Sequence, residues 1–239
     1  MDLRESWEEQ ARRWIEWARA PGHDSYWRFH RDQFLSLLPA PGRRTLDVGC
    51  GEGRLTRDLK QRGHNVIGID SSPTMIAAAR ETDTSMDIRL ANATAIPLAD
   101  ASVDLAVAFM TLHDMDAMPD VILELARVLE PGGRLCFAIV HPINSAGRFE
   151  GETANAPFII PGQYLEPFRY EDAVERDGLC MTFKSMHRSI ESYFSALEAA
   201  GLLVESLREP AVPSYAITSE TQKRWQRIPL FLHVRARLP

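Results

Sequence analysis

The stretch Leu46-Asp47-Val48-Gly49-Cys50-Gly51-Glu52-Gly53-Arg54 sets three alternating glycines between a short apolar run and a helical pattern. Glycines at such a turn let the backbone bend sharply and approach a bound molecule with no Cβ between them. A dinucleotide fingerprint reads GxGxxG, whereas here the spacing is GxGxG and Arg54 stands where the third glycine would be. Asp47, just before the turn, would repel a pyrophosphate and suit a ligand bearing an ammonium and a sulfonium. A plain βα connection, with Asp47 capping local N–H groups, is the bland alternative. Two histidines follow apolar runs, His113 after residues 103–109 and His141 after residues 134–140. Imidazole is the side chain best suited to proton transfer near neutral pH, which makes His141 the preferred base and His113 the second. Each also fits a structural role, bonded to loop backbone or to an acid such as Asp114.

Hydrophobic periodicity supplies the elements that must position these groups. Leu3, Trp7, Ala11, Trp14 and Ala18 recur at helical spacing, and Pro21-Gly22 ends that helix. A second helix starts at Asp24, a candidate N-cap, and puts Trp27, Phe34, Leu35 and Leu38 on one face. After Gly42, short apolar runs alternate with amphipathic stretches, the pattern of βα units on a parallel sheet. Strands are predicted over 45–48, 66–69, 88–90, 103–109 and 134–140, with Ser72-Pro73 opening the helix after the second. From residue 142 the rhythm lapses, and so long an irregular link inside a compact domain points to function. We read it as a substrate lid over 142–188, partly a hairpin with residues 164–170 opposite 179–185 around Asp177-Gly178. Ser189 caps a last helix, Gly201 ends it, and strands over 202–207 and 230–237 close the chain. Tyr164, Phe168, Tyr170, Phe183, Trp14, Trp17, Tyr26 and Trp27 are candidates for an apolar acceptor wall, while Trp7 and Trp14 are expected in the core.

The charge pattern at Asp47 points to S-adenosylmethionine, and from residue 42 onward the sequence resembles the class I S-adenosylmethionine-dependent methyltransferases with a VGCGxG first motif. The resemblance implies an α/β, Rossmann-like doubly wound sheet of seven strands whose last strand is antiparallel, with N-terminal helices and the lid inserted after the fifth strand. It implies that Gly49, Gly51 and Gly53 line the methionine and ribose, that Asp47 lies near the amino group, and that Asp70, followed by Ser71, receives the ribose hydroxyls. Asn92-Ala93 stands where the family usually has Asp-Ala against adenine, and an amide still accepts from the adenine amino group. Phe109, Met110 and Thr111 match the wall beside the methionine part, and His187-Arg188 resembles a pair before the family's fifth helix, with a helix-entry hydrogen-bond anchor as the alternative. Tyr26, His113, His141, Tyr164 and His187 are the expected substrate contacts.

The domain plan is a helical cap over 1–41, a cofactor-binding core over 42–141, the lid, and the rest of the core sheet over 189–239. With 239 residues, 45% of them apolar, and a net charge of −6, the chain suits one domain and lacks the basic surface nucleic acid requires. No apolar run approaches the roughly 20 residues of a membrane span, and Cys50, Cys136 and Cys180 form no CxxC pair, so a cytoplasmic protein without a metal site is expected. The expected reaction is methyl transfer to a small molecule at oxygen or nitrogen, or at carbon, releasing S-adenosylhomocysteine, by a monomer or homodimer. A protein or RNA methyltransferase, a non-catalytic cofactor binder and an NAD-dependent oxidoreductase are the alternatives.

Overall fold

Asp2 accepts the Glu5 N–H while the Glu5 carboxylate accepts the Asp2 N–H, and this capping box opens α1, Leu3–Arg19. The computed structural model describes residues 2–239. Asp24 accepts the Tyr26 N–H at 2.9 Å, as its cap role requires, but the turn it opens, Tyr26–His30, is π-wound before α2, Arg31–Leu35. The wider winding rotates Trp27 off the face that Phe34 and Leu35 bury, leaving it 48% exposed.

The alternating units then follow: β1 (Thr45–Val48), α3 (Arg54–Gln61), β2 (Val66–Asp70), α4 (Pro73–Thr82), β3 (Asp87–Leu90), β4 (Val103–Phe109), α5 (Met118–Val128) and β5 (Leu129–Val140). Residues 130–133, which precede the strand predicted over 134–140, form a bulge inside β5, where the pairing with β4 shifts register and Gly132 takes φ +82°. Beyond it come α6 (Pro142–Ala146), β6 (Arg148–Phe149), β7 (Phe158–Ile159), β8 (Phe168–Arg176), β9 (Leu179–His187), α7 (Ile190–Ala199), β10 (Leu203–Arg208) and β11 (Phe231–Arg237).

Seven strands form one sheet in the order β10-β11-β5-β4-β1-β2-β3, and β11 alone runs against its neighbours. This is the expected Rossmann-like arrangement. The strand order reverses at β1, between β4 and β2, so a crevice opens at the carboxyl ends of β1 and β4. Helices cover both faces. On one, Ile122 and Leu125 of α5 and Leu197 of α7 bury Leu46, Val48 and Phe137; on the other, Phe34, Leu55 and Leu59 bury Val107 and Cys136. Among the described residues, no helix is long and apolar enough to cross a membrane.

The β8–β9 hairpin pairs Arg176 with Leu179, Tyr170 with Ser185 and Phe168 with His187. Asp177 at φ +50° and Gly178 at φ +79° make the two-residue turn that fixes this register, so residues 164–167 lie outside the hairpin, contrary to the expected pairing. Its inner face meets α1, where Phe183 sits among Trp7, Trp14 and Trp17 at centroid separations of 6.4, 5.9 and 6.4 Å.

Candidate active site

Leaving β1, the chain turns through Gly49, Gly51 and Gly53, all left-handed at φ +65°, +56° and +84°. A Cβ on Gly49 would collide with Thr111 Oγ1, so this turn seats directly on the loop after β4. A Cβ on Gly51 would meet only Trp14 Nε1, at 3.8 Å, and otherwise open space, which is the cradle a ligand backbone approach requires. Asp70 at the end of β2 clamps the turn by accepting the Gly51 N–H at 2.8 Å and the Ser72 N–H at 2.9 Å. Burial raises its pKa and those N–H groups oppose the rise. Each carboxylate oxygen keeps accepting capacity for a ligand hydroxyl, so clamping and ribose binding are compatible. Asp47, buried beneath the turn, accepts from Thr56 Oγ1 at 2.6 Å, and burial pushes its pKa up to about 7. A cation brought beside it would restore the charged carboxylate. Cradle and buried acid together fit S-adenosylmethionine.

A cleft of about 1080 Å³ opens here. Asp47, Gly49, Gly51, Asp70, Ser71, Asn92, Ala93 and Phe109, all expected at the cofactor, line one end. Gly53 does not; its left-handed φ starts α3, and its Cβ position faces Met86 Cε at 3.1 Å. Met110, a non-glycine at φ +55°, turns the chain sharply after β4, a local strain of the kind that concentrates at functional sites. His113 and Asp114 follow it into the wall. His113 Nε2 lies 3.6 Å from Asp114 Oδ1, its Nδ1 is buried without a partner, and burial drives its pKa down to about 3. Asp114 accepts from Ser185 Oγ at 2.6 Å, and burial raises its pKa to about 8.

The other expected substrate contacts lie outside this wall. His141 is fully buried; its Nδ1 accepts the Ile143 N–H at 3.1 Å as the cap of α6, and its Nε2 lies 2.9 Å from Glu209 Oε1. Its Nδ1 is taken by the α6 cap, and its Nε2 faces Glu209 and not the cleft, whose lining does not include His141. His187 is buried between Ser145 Oγ at 2.7 Å and the Tyr164 carbonyl at 2.8 Å. Tyr164 Oη accepts the Ile190 N–H, and Tyr26 Oη donates to Asp58 at 2.5 Å. These four act as anchors, because the capping and hairpin geometry consumes their polar atoms.

Sequence reasoning missed several wall residues. Trp7, expected only in the core, is half-buried and lines the cleft beside the wall candidate Trp14, while Trp17, also a wall candidate, takes the core position on the same helix. Arg54, noted only for breaking a fingerprint, is buried in an ion pair with Asp24 and lies over the rings of Trp14 and Tyr26 at 4.9 and 4.4 Å. His30 also reaches the wall, its Nε2 2.7 Å from that of His233. Charged or aromatic residues on a helix face turned toward a glycine turn were the available signal.

Comparison with known proteins agrees with this geometry. Residues 46–137 match the methyltransferase domain family. A malonyl-[acyl-carrier protein] O-methyltransferase of Pectobacterium atrosepticum is 36% identical over 108 residues, which are 45% of this chain and 43% of that protein. An uncharacterised methyltransferase of Mycobacterium tuberculosis is 43% identical over 99 residues, 41% of this chain and 40% of that one. The chain thus spans less than half the length of these curated relatives. A crystal structure of an S-adenosylmethionine-dependent methyltransferase from Mesorhizobium loti aligns over 90% of this chain and 98% of its own, with 27% identity and a TM-score of 0.70. The chain belongs to the class I S-adenosylmethionine-dependent methyltransferases. Its cofactor is S-adenosylmethionine.

Proposed function

We propose that this protein transfers the methyl group to a small-molecule acceptor, at oxygen or nitrogen in the first instance and at carbon as the outlying case. The observation that carries the reading is one continuous cleft lined by both the Gly51 cradle and the His113–Asp114 pair. Its volume, about 1080 Å³, exceeds the roughly 300–1,000 Å³ typical of one ligand, which supports a cofactor and an acceptor side by side. The name of the Pectobacterium relative, an O-methyltransferase, supports an oxygen acceptor.

Bound S-adenosylmethionine supplies an electrophilic methyl on a sulfonium. The protein's part is alignment and proton removal. Asp47 and the Gly51 turn fix the donor; Phe109 and Met110 form the wall beside it. His113 Nδ1, buried and unpartnered, accepts the acceptor's proton, and the Asp114 carboxylate near Nε2 stabilises the resulting imidazolium. Residues 142–188, with the β8–β9 hairpin, cover the acceptor from solvent.

Incubating the protein with methyl-labelled cofactor and a metabolite extract tests the reading. A labelled small molecule is expected, together with micromolar-range calorimetric binding of S-adenosylmethionine and none of NADH. Label confined to protein or RNA would overturn the small-molecule assignment.

A further inference from the structure

The cleft walls sort by charge once partners are assigned. Glu52 is held by Arg57 and Arg19, Arg54 by Asp24, and Arg4 lies 3.7 Å from Asp2. On the hairpin side Asp116 pairs with Arg169 and Glu171 with Lys184. Among the described wall residues two cations remain with no carboxylate partner: Arg148, at the start of β6, and Arg224, in the turn Thr221–Gln226. Arg148 is exposed to the cleft. Arg224 lies over the Phe149 ring at 5.2 Å and donates from Nη1 to the Gly151 carbonyl, while its Nε is buried with no acceptor. Leaving a guanidinium N–H desolvated and unpaired is unfavourable, and an oxyanion is the group that relieves it best.

Beside these cations the wall is apolar. Trp225 packs edge-on to Phe149 at 4.9 Å and joins Leu230, Phe231 and Met110 in one cluster. Met110 ends this floor at the turn after β4, directly before the loop that carries His113.

We infer that the acceptor is an organic anion, with an aromatic or acyl body lying on Trp225 and Phe231 and a carboxylate, sulfonate or phosphate held by Arg224 and Arg148. The term acceptor rests on the methyl-transfer reading; the anion site itself does not. A guanidinium can donate from two N–H groups to two oxygens of one anion, and Arg148, exposed in the same cleft, adds a second positive charge.

Two fluorescent probes of the same skeleton separate the terms: 1-anilinonaphthalene-8-sulfonate carries an anion and N-phenyl-1-naphthylamine does not. Titrated into the full chain, with and without S-adenosylhomocysteine, the sulfonate is expected to bind ~10-fold more tightly than the neutral probe. Arg224→Gln should erase that difference, Arg224→Lys should retain part of it, and the exposed Arg148→Gln should reduce it without altering the melting temperature. Equal affinities in the parent protein, or a difference untouched by both Gln variants, overturns the anion site. In the labelled-extract screen the acceptor should migrate as an anion at pH 7, and a neutral or cationic acceptor would overturn its assignment to this site. Absence of any methyl acceptor, with the probe preference intact, would sink the methyl-transfer reading and leave the anion site standing.

Discussion

The two ends of the cleft are built in opposite ways. The end proposed for the cofactor comes from strand ends and the turns that follow them, between Asp47 and Thr111, and much of its shape is backbone: the Gly51 cradle, and the N–H groups of Gly51 and Ser72 on Asp70. The end proposed for the acceptor is assembled from side chains of separate segments, with His113 and Asp114 after β4, Phe149 from β6, Ser185 from β9, and Arg224 and Trp225 from a turn near the C-terminus. A site made by repeating βα units can be replaced only by altering the backbone. A site made by converging side chains changes one residue at a time.

The largest effect should come from Gly51→Val. The left-handed φ of +56° costs a branched residue roughly 1–2 kcal/mol, and the new side chain would project into the cradle. Calorimetry should show cofactor affinity falling ~100-fold or more in a folded protein. Trp225→Ala, at the other end, should leave cofactor affinity within about twofold while lowering turnover. If Gly51→Val binds normally, the contrast between a backbone-built and a side-chain-built end collapses.

Next comes the pair proposed to remove the proton. His113 is neutral across the accessible range, and Asp114 is protonated below about 8, so the charge that supports an imidazolium appears only as pH rises through that value. Turnover at saturating cofactor should therefore climb with pH through about 8. Asp114→Asn should flatten the limb and reduce turnover roughly 10²-fold. Ser185→Ala, removing a hydrogen bond that favours the carboxylate, should move the limb to higher pH. A flat profile in the parent protein would mean the acceptor arrives already deprotonated, leaving this end only a positioning role.

Asp47 offers a smaller effect at the cofactor end. Its carboxyl is raised to about 7 by burial, whereas a ligand ammonium favours the ionised form. Cofactor affinity should thus increase as pH rises through about 7, with a proton released on binding below that value. Asp47→Asn should weaken binding about tenfold at pH 8 and remove the pH dependence. By linkage, the raised pKa values of Asp47 and Asp114 also make the unliganded fold lose stability as pH climbs from the normal carboxyl range toward 8.

The difference between the ends also explains what was legible in the sequence. Periodicity and cap residues located β1 through β4 within a residue, and the same units carry Asp47, Gly49, Gly51, Asp70, Asn92 and Phe109 to the cleft. The antiparallel β11 followed from the family resemblance. Local pattern does not report which atoms tertiary packing will consume, so Tyr26, His141, Tyr164 and His187 looked available when each is an anchor. Nor does it report that Trp7 would face the cleft beside Trp14 while Trp17, one turn on, fills the core. Arg148 and Arg224 carry no spacing signal at all; Arg224 reaches Phe149, the neighbour of Arg148, only when the turn Thr221–Gln226 folds over β6.

His141 draws the boundary most sharply, and its predicted effect on turnover is the smallest. As the base, it would place a titration near the ordinary imidazole range of about 6.5 in the rate profile. The structure instead gives its Nδ1 to the Ile143 N–H and sets its Nε2 against Glu209, while burial lowers its pKa. His141→Ala should therefore leave the pH limb where it is and turnover within about threefold, while lowering stability by about 1–2 kcal/mol through loss of the α6 cap and its packing. His141→Asn restores an N-cap acceptor and should recover part of that loss in chemical denaturation. If the Ala variant instead lost turnover ~10²-fold and flattened the pH limb at full stability, proton removal would belong to His141. The anchor role would then pass to His113, whose unpartnered Nδ1 would need another explanation.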